Sequence, residues 1–404
     1  MTQRIVVVGA GLGGLRAAEQ LRTAGFAGDI EIVGDEPHLP YTRPPLSKEG
    51  LAGGLSHETV VFRRKASVDD VTWRLGESVV AADLAARTLT LGDGAELGYD
   101  GLVAATGVSA RRLPLDAPPQ WRHVVRTLDD ATALRAALKP GSSVVVIGAG
   151  FIGCEVAATA RLLGCSVDVV DPLEVPLLRP LGIELGSELQ RRHEKHGVRF
   201  HLGRTIAALR GDATGPHQIV LDDGTELDVD VVVEAVGSVP NVSWLSGNSL
   251  DLTDGVLCDD GLRPVKATGP VRTAVVVGDI ARFPNLRFDE RPLRVEHWSI
   301  PTDTGRRAGA VLAAYLAGEG YAEVVDAAWD VVPSFWSDQF DIRLQSYGMP
   351  GLADPDGIRV LEGDLHDECV VGYHRGDELV GVVGLGMLRV VNSYRDKVGH
   401  PVTV

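Results

Sequence analysis

Residues 4–14 read Arg4-Ile-Val-Val-Val8-Gly9-Ala-Gly11-Leu-Gly13-Gly14, and Leu15 to Gly25 continue with Ala- and Leu-rich helical character. An apolar run, a glycine turn and a helix in that order open a βαβ unit. The glycines have separate work: Gly9 permits the tight turn, Gly11 lets the backbone approach a pyrophosphate, and Gly14 lets helix and strand pack closely. The helix N-terminus then offers unpaired N–H groups and the positive end of its dipole to phosphate. Ile30-Glu-Ile-Val33 supplies the next strand. It ends at Gly34-Asp35-Glu36, so Asp35 or Glu36 stands at the roughly 20-residue spacing that suits an acceptor for ribose hydroxyls.

The pattern recurs. Ser143-Val-Val-Val-Ile147 precedes Gly148-Ala-Gly150-Phe151-Ile152-Gly153, a helix runs through Leu163, and Ser166-Val-Asp-Val-Val170 ends at Asp171. One such motif is weak; two, each with its strand, helix and late acid, predict two dinucleotide sites, most simply for two different dinucleotides. Tyr99-Asp-Gly-Leu-Val-Ala-Ala105-Thr106-Gly107 is echoed by Val229 to Val233 followed by Glu-Ala-Val-Gly237. Each reads as a strand ending in a glycine that lets the chain pass a bound dinucleotide, and Ala274-Val-Val-Val277 ends likewise in Gly278-Asp279. The expected fold is α/β: two Rossmann-like, three-layer ββα dinucleotide-binding domains plus a C-terminal α+β domain. The expected boundaries are 1–112 with 240–320 for a discontinuous first domain, 113–239 for the second and 321–404 for the third.

Composition narrows the function. Glycine supplies 48 of 404 residues, about 12%, against a usual level of about 7%, so tight turns and close backbone approaches are frequent. The net charge of −16 argues against a nucleic-acid binder or a protein held on anionic lipid by its overall field. Cys154, Cys165, Cys258 and Cys369 form no closely spaced pair, which argues against a disulfide scaffold and against a tetracysteine zinc or iron–sulfur site; no metal site is expected. The start, MTQRIVVVGAG, shows no signal-peptide pattern, and no apolar run approaches the roughly 18 residues of a membrane span. A reduced, cytoplasmic protein with no membrane partner is expected.

Taken together, Val33-Gly-Asp-Glu-Pro-His-Leu-Pro-Tyr-Thr-Arg-Pro-Pro-Leu-Ser-Lys48, Gly148-Ala-Gly-Phe-Ile-Gly-Cys-Glu155, Glu296-His297-Trp298 and Val332-Pro-Ser-Phe-Trp336-Ser-Asp-Gln339 resemble the FAD-dependent pyridine-nucleotide oxidoreductases of the glutathione-reductase fold. Within these, the chain looks like the ferredoxin (or rubredoxin) reductases that serve bacterial cytochromes P450 and ring-hydroxylating dioxygenases. Two departures stand out: Thr42, where the family usually has Asp, and Ser299-Ile-Pro301-Thr-Asp303, where Ala and Gln are common. A proline in the first turn of a helix loses no hydrogen bond that the helix needs.

The resemblance implies that the first motif holds FAD and the second NADH. The FAD set is then Gly9, Gly11, Gly13, Gly14, Asp35, Glu36, Arg43, Lys48, Val79, Ala105, Thr106, Gly107, Arg126, Gly278, Asp279, Glu296, His297, Trp298 and Trp336. The NAD set is Gly148, Gly150, Phe151, Ile152, Gly153, Glu155, Asp171 and Gly237. Lys48 and Glu155 are implied to form an ion pair in front of the flavin and to be the catalytic residues. The alternatives are a solvated Lys48, and a Glu155 that only complements a helix dipole. Asp279 has the alternative role of a helix N-cap, and the two tryptophans that of plain core. Asp171 also bears on coenzyme choice: at about 4 Å and an effective dielectric near 20, its repulsion of a 2′-phosphate is on the order of 4 kcal/mol before screening, so NADH is preferred over NADPH.

His38 to Lys48, the stretch that carries the redox cysteines of disulfide reductases in this fold, contains none, and Cys154 reads as packing. Electrons are therefore expected to leave the flavin directly, to a [2Fe–2S] ferredoxin. That carrier is usually acidic, so a local basic patch is needed: Arg282, Arg287, Arg291, Arg294, Arg306 and Arg307 are the candidates. A cysteine-independent NADH oxidase and an NADH-sensing flavoprotein resembling the apoptosis-inducing factors are the rival readings.

Overall fold

The computed structural model describes residues 2–401. The elements that position the two glycine turns are, in chain order, β1 (Arg4–Val8), α1 (Leu12–Thr23), β2 (Asp29–Gly34), β3 (Thr72–Leu75), β4 (Gly101–Ala104), β5 (Ser143–Ile147), α2 (Phe151–Leu162), β6 (Ser166–Asp171), α3 (Leu178–Lys195), β7 (Val198–Leu202), β8 (Val231–Glu234), β9 (Ala274–Val276) and α4 (Ile300–Ala317). They fall into two compact units. The first takes the chain up to Thr42, then Val61–Ser109 and Pro240–Ser334; the second takes Arg43–Val60, Ala110–Val239 and the chain from Phe335 onward.

In the first unit β9, β4, β1, β2 and β3 lie side by side in that order, all parallel. Ile5, Val6, Val7, Ile32, Leu102, Val103 and Val275 are wholly buried. A sheet covered on both faces demands such unbroken apolar runs, which is why these strands do not alternate. Val8 pairs with both Val33 and Ala104, so Gly9 emerges at the C-terminal edge of the central strand. A three-stranded antiparallel sheet, Val79–Asp83, Thr88–Leu91 and Glu96–Gly98, precedes β4 in the chain. Helix α4 begins with Pro301 in its first turn, as expected, and packs along α1.

The second unit repeats the plan. Its sheet runs β7, β6, β5, β8 and the short strand Arg122–His123, again all parallel. Its antiparallel sheet, Ile206–Asp212, Gly215–Leu221 and Glu226–Asp228, precedes β8. The C-terminal residues form a six-stranded sheet that opens with β10 (Ser334–Gln339). Its apolar face shares one core with α3: Leu181, Leu185 and Leu189 meet Phe335, Ile342, Leu344, Tyr373 and Val383. The Tyr373 hydroxyl donates to the Leu181 carbonyl at 2.8 Å.

Compactness follows packing rather than nucleotide assignment. Residues 43–60 group with the second unit because the turn Pro44–Ser47 is tied to α2, where the Thr159 hydroxyl donates to the Ser47 carbonyl at 2.8 Å. Residues 321–334 group with the first because the helix Tyr321–Asp326 is held to α4 and to Arg263.

Candidate functional site

Each glycine turn is shaped by what a side chain would hit. Gly9 has φ +118°, and a Cβ there would lie 2.1 Å from the Ala105 carbonyl oxygen; Gly148 has φ +105°, with its Cβ 2.3 Å from that of Ala235. A Cβ on Gly14 would come within 2.1 Å of the Gly9 oxygen, and one on Gly153 within 1.9 Å of the Gly148 oxygen. These contacts are with backbone, which cannot yield. Gly11 and Gly150 differ: nothing lies within 4 Å of their Cβ positions. They are the N-caps of α1 and α2, and neither helix has a side-chain cap. By contrast, the helix Leu128–Ala137 is closed by a capping box between Thr127 and Asp130. Uncapped helix N-termini facing open space fit a pyrophosphate in both places, so the residues present suit both FAD and NADH.

The late acids are held in different ways. Both oxygens of Asp171 accept backbone N–H groups, from Ala149 at 2.7 Å and Leu173 at 2.8 Å, which fixes the carboxylate at the mouth of the second turn. Glu36 is half-buried and accepts the Tyr41 hydroxyl, whereas Asp35 is exposed. Glu36 is thus the better placed of the two for a ribose.

Lys48 and Glu155 meet. The two prolines of Arg43-Pro44-Pro45-Leu46-Ser47 set up a single 3₁₀ turn with Lys48 at its end. The Lys48 ammonium lies 2.7 Å from Glu155 Oε2, with side chains only 11% and 5% exposed. Glu155 is the fifth residue of α2, beyond the first turn, so its partner is a buried cation and not only the helix dipole. The Ser47 and Ser337 hydroxyls also donate to it, each at 2.5 Å. Gln339 donates to Ser337 at 2.9 Å, and His193 lies 2.8 Å from Gln339 Oε1. Sequence reasoning did not single out Ser47, Ser337, Gln339 or His193; Ser47, Ser337 and Gln339 stand inside the segments that carried the resemblance.

Other expected residues take these positions. Arg43 donates to the Arg126 carbonyl at 2.6 Å, which brings the two guanidinium-bearing residues together in the second unit. Thr106 donates to the Asn241 carbonyl at 2.6 Å and orders the passage from Ala105 to Gly107. The Gly278 N–H donates to Thr304 of α4 at 2.9 Å, and Asp279 lies in a single 3₁₀ turn, not at an α-helix N-cap. Val79 opens the first antiparallel sheet. Glu296 pairs with Arg294. His297 is half-buried, and desolvation pushes its imidazole down to about 4. Trp298 and Trp336 are 43% and 36% exposed, so neither is plain core. The Phe151 ring packs on Phe335 with centroids 4.8 Å apart, while Ile152 faces outward and Gly237 has φ +99° with open space at its Cβ.

The basic patch needs correction. Arg307 is buried and commits its guanidinium to the Val324 and Val325 carbonyls, both at 2.7 Å, so it is no docking residue. Four other arginines carry acidic partners: Arg282 with Asp251, Arg287 with Asp330, Arg291 with Asp289, and Arg294 with Asp254 and Glu296. Arg306 is exposed.

All four cysteines are free and buried, and burial raises every thiol above its ordinary value. Among the described residues no helix is long and apolar enough to cross a membrane.

The pyridine nucleotide-disulphide oxidoreductase family matches residues 3–301. The chain belongs to that family. A reductase C-terminal domain matches residues 334–402 of this pyridine nucleotide-disulphide oxidoreductase. It is 36% identical to rhodocoxin reductase of Rhodococcus erythropolis over 376 residues, 91% of this chain and 84% of that protein. It is 37% identical to the ferredoxin–NAD(+) reductase component of the anthranilate 1,2-dioxygenase system of Burkholderia cepacia over 358 residues, 88% of this chain and 84% of that protein. Among solved structures, the covalent putidaredoxin reductase–putidaredoxin complex matches with a TM-score of 0.88 at 30% identity, covering 98% of this chain and 92% of that one. Members of this family use FAD and NAD(H).

Proposed function

We propose that this protein is an NADH-dependent ferredoxin reductase of a cytochrome P450 or dioxygenase system, cytoplasmic, and reducing a [2Fe–2S] ferredoxin. The observation that carries this reading within the family is the state of the cysteines: all four are buried, unpaired and protonated, so no thiol can relay electrons to a disulfide. The named relatives are reductases of iron–sulfur carriers, which supports the same assignment. FAD, when bound, supplies a two-electron acceptor for the hydride of NADH and a one-electron donor to the carrier.

The protein's own residues then have defined tasks. Residues 1–112 and 240–320 hold FAD, with Gly11 at its pyrophosphate, Gly14 packing helix on strand beneath it, Glu36 at its ribose, and Arg43 and Asp279 as further contacts; Arg126, from outside these segments, is another. Residues 113–239 hold NADH, with Gly150 at the pyrophosphate, Gly153 packing helix on strand beneath it and Asp171 at the ribose. Residues 321–404 form the C-terminal domain. Lys48 presents a positive charge that stabilises the charge developing as hydride arrives, and Glu155 holds it in place. Asp171 disfavours a 2′-phosphate.

Anaerobic stopped-flow mixing of the yellow holoprotein with NADH, then with oxidised [2Fe–2S] ferredoxin, tests this. Fast bleaching of the flavin band followed by ferredoxin reduction is expected. Fast bleaching with rapid recovery only in oxygen makes the protein an NADH oxidase. A long-lived charge-transfer band with slow onward transfer makes it an NADH sensor, and no bleaching overturns the cofactor assignment.

A further inference from the structure

Behind the Lys48–Glu155 pair runs a buried line of polar side chains that hydride transfer does not by itself require. From Glu155 Oε1 it passes to the Ser337 hydroxyl (2.5 Å), from Ser337 to Gln339 (2.9 Å), and from Gln339 to His193 Nε2 on α3 (2.8 Å). Ser337 and His193 are wholly buried and Gln339 nearly so. Side chains of this kind are costly to bury unless each finds a partner, and here three in succession do so only by pointing at one carboxylate.

The direction of every bond follows from one charge. Glu155 is paired with Lys48 and is therefore ionised, so it can only accept. Ser337 must donate its single hydrogen to Glu155, and its lone pair then accepts from the Gln339 amide nitrogen. That leaves Gln339 Oε1 facing His193, which must carry its proton on Nε2. His193 Nδ1 has no hydrogen-bond partner, and the Phe200 and Phe340 rings stand edge-on to the imidazole. Burial keeps the ring neutral, its ionisation pushed down to about 4. On the other side, Oε2 takes the Ser47 hydroxyl and the Lys48 ammonium. Both carboxylate oxygens are thus committed, and the plane of the carboxylate is fixed from two directions.

We infer that Ser337, Gln339 and His193 form a one-way hydrogen-bond chain that holds the Glu155 carboxylate oriented on Lys48, and that they are positioning residues for hydride delivery from NADH. This rests on the reading of Lys48 and Glu155 given above. The chain draws its members from α2, β10 and α3, so the C-terminal sheet reaches the second nucleotide unit's reactive pair through bonded polar groups as well as through the apolar core.

Two measurements on the holoenzyme test it. In protein labelled with [15N]histidine, the His193 signal, assigned with His193→Gln, is expected to show the neutral Nε2–H tautomer throughout pH 6 to 8. An Nδ1–H tautomer or an imidazolium would overturn the inference whatever the enzyme's activity. In the second, Ser337→Ala is expected to slow flavin reduction by NADH roughly tenfold with little change in the NADH dissociation constant. Ser337→Thr, which keeps the hydroxyl, recovers the rate. Combined with Glu155→Gln, Ser337→Ala adds no further loss, because it acts through Glu155. Additive losses would overturn the positioning role. If Glu155→Gln alone leaves the rate unchanged, the assignment of the Lys48–Glu155 pair falls, while the tautomer measurement still judges the chain. Should Ser337→Ala not fold, Gln339→Met carries the same cycle.

Discussion

The two glycine turns share one backbone plan and differ in what surrounds their helices. Along α1, the covering helix α4 comes close enough that a Cβ on Gly305 would lie 2.9 Å from Arg16 Cβ, and one on Gly309 2.9 Å from the Ala17 oxygen. Glycines four apart on one helix face allow that approach, and α1 is walled into a core. Helix α2 instead leaves Ile152 and Leu162 exposed, at 44% and 70%. The fifth residue sharpens the contrast: in α1 it is Arg16, paired within its own helix to Glu19, and in α2 it is Glu155, paired to the distant Lys48. A turn whose helix is flanked by a second helix suits a dinucleotide that stays. A turn with an exposed Ile152 beside it and a buried charge pair behind it suits one that enters, reacts and leaves.

The sharpest way to break this comparison is to fill equivalent glycines. Gly14→Ala puts a Cβ into the Gly9 carbonyl and is expected to yield protein without flavin, measured by the absorbance ratio of the purified product. Gly153→Ala is expected to keep the yellow colour and lose NADH reduction by more than a hundredfold. Equal flavin loss in both would erase the distinction. Next in size, Lys48→Met leaves Glu155 buried without its cation, at a cost of about 3–5 kcal/mol. Thermal melting reads this as a large drop in Tm, beside which Arg210→Ala, breaking an exposed pair with Glu226, costs less than about 1 kcal/mol. A smaller effect is expected of Asp171→Ser: kcat/KM for NADPH relative to NADH rises about tenfold. The NADH value also falls, because the Ala149 and Leu173 N–H groups lose their acceptor. Smallest is Arg306→Glu on the exposed side of α4, expected to raise the KM for ferredoxin about two- to threefold and to leave ferricyanide reduction unchanged.

Both glycine turns were legible in the sequence because each is local: strand, turn, helix and acid follow within about 30 residues, and sterics assign the glycines their places. The shared order of four strands in each sheet follows from the same repeat, whereas the fifth comes last in the chain in the first sheet and first in the second. Lys48 and Glu155 were legible only through the resemblance, since 107 positions separate them and no spacing rule joins them. The Ser337–Gln339–His193 line was not legible, as its direction depends on bonds across 146 and 182 positions. Arg306 and Arg307 were misread as a pair. Adjacent residues on a helix point about 100° apart, so one faces water while the other turns to the end of a neighbouring helix. The arginine patch carries less net charge than expected for a related reason: the carboxylates of Asp251, Asp254 and Asp330 arrive from elsewhere in the chain, and a local reading counted the cations without them.

The buried cysteines also decide how the protein tolerates chemical handling. With all four thiols inside the fold and held protonated, iodoacetamide or maleimide finds no thiolate on the native surface, and peroxide formed by flavin meeting oxygen has no thiolate there to oxidise. A cysteine introduced at an exposed position such as Arg306 is therefore the sole reactive thiol of the native enzyme. It can carry a fluorophore, an electrode tether or a cross-linker without removing any native residue of the core.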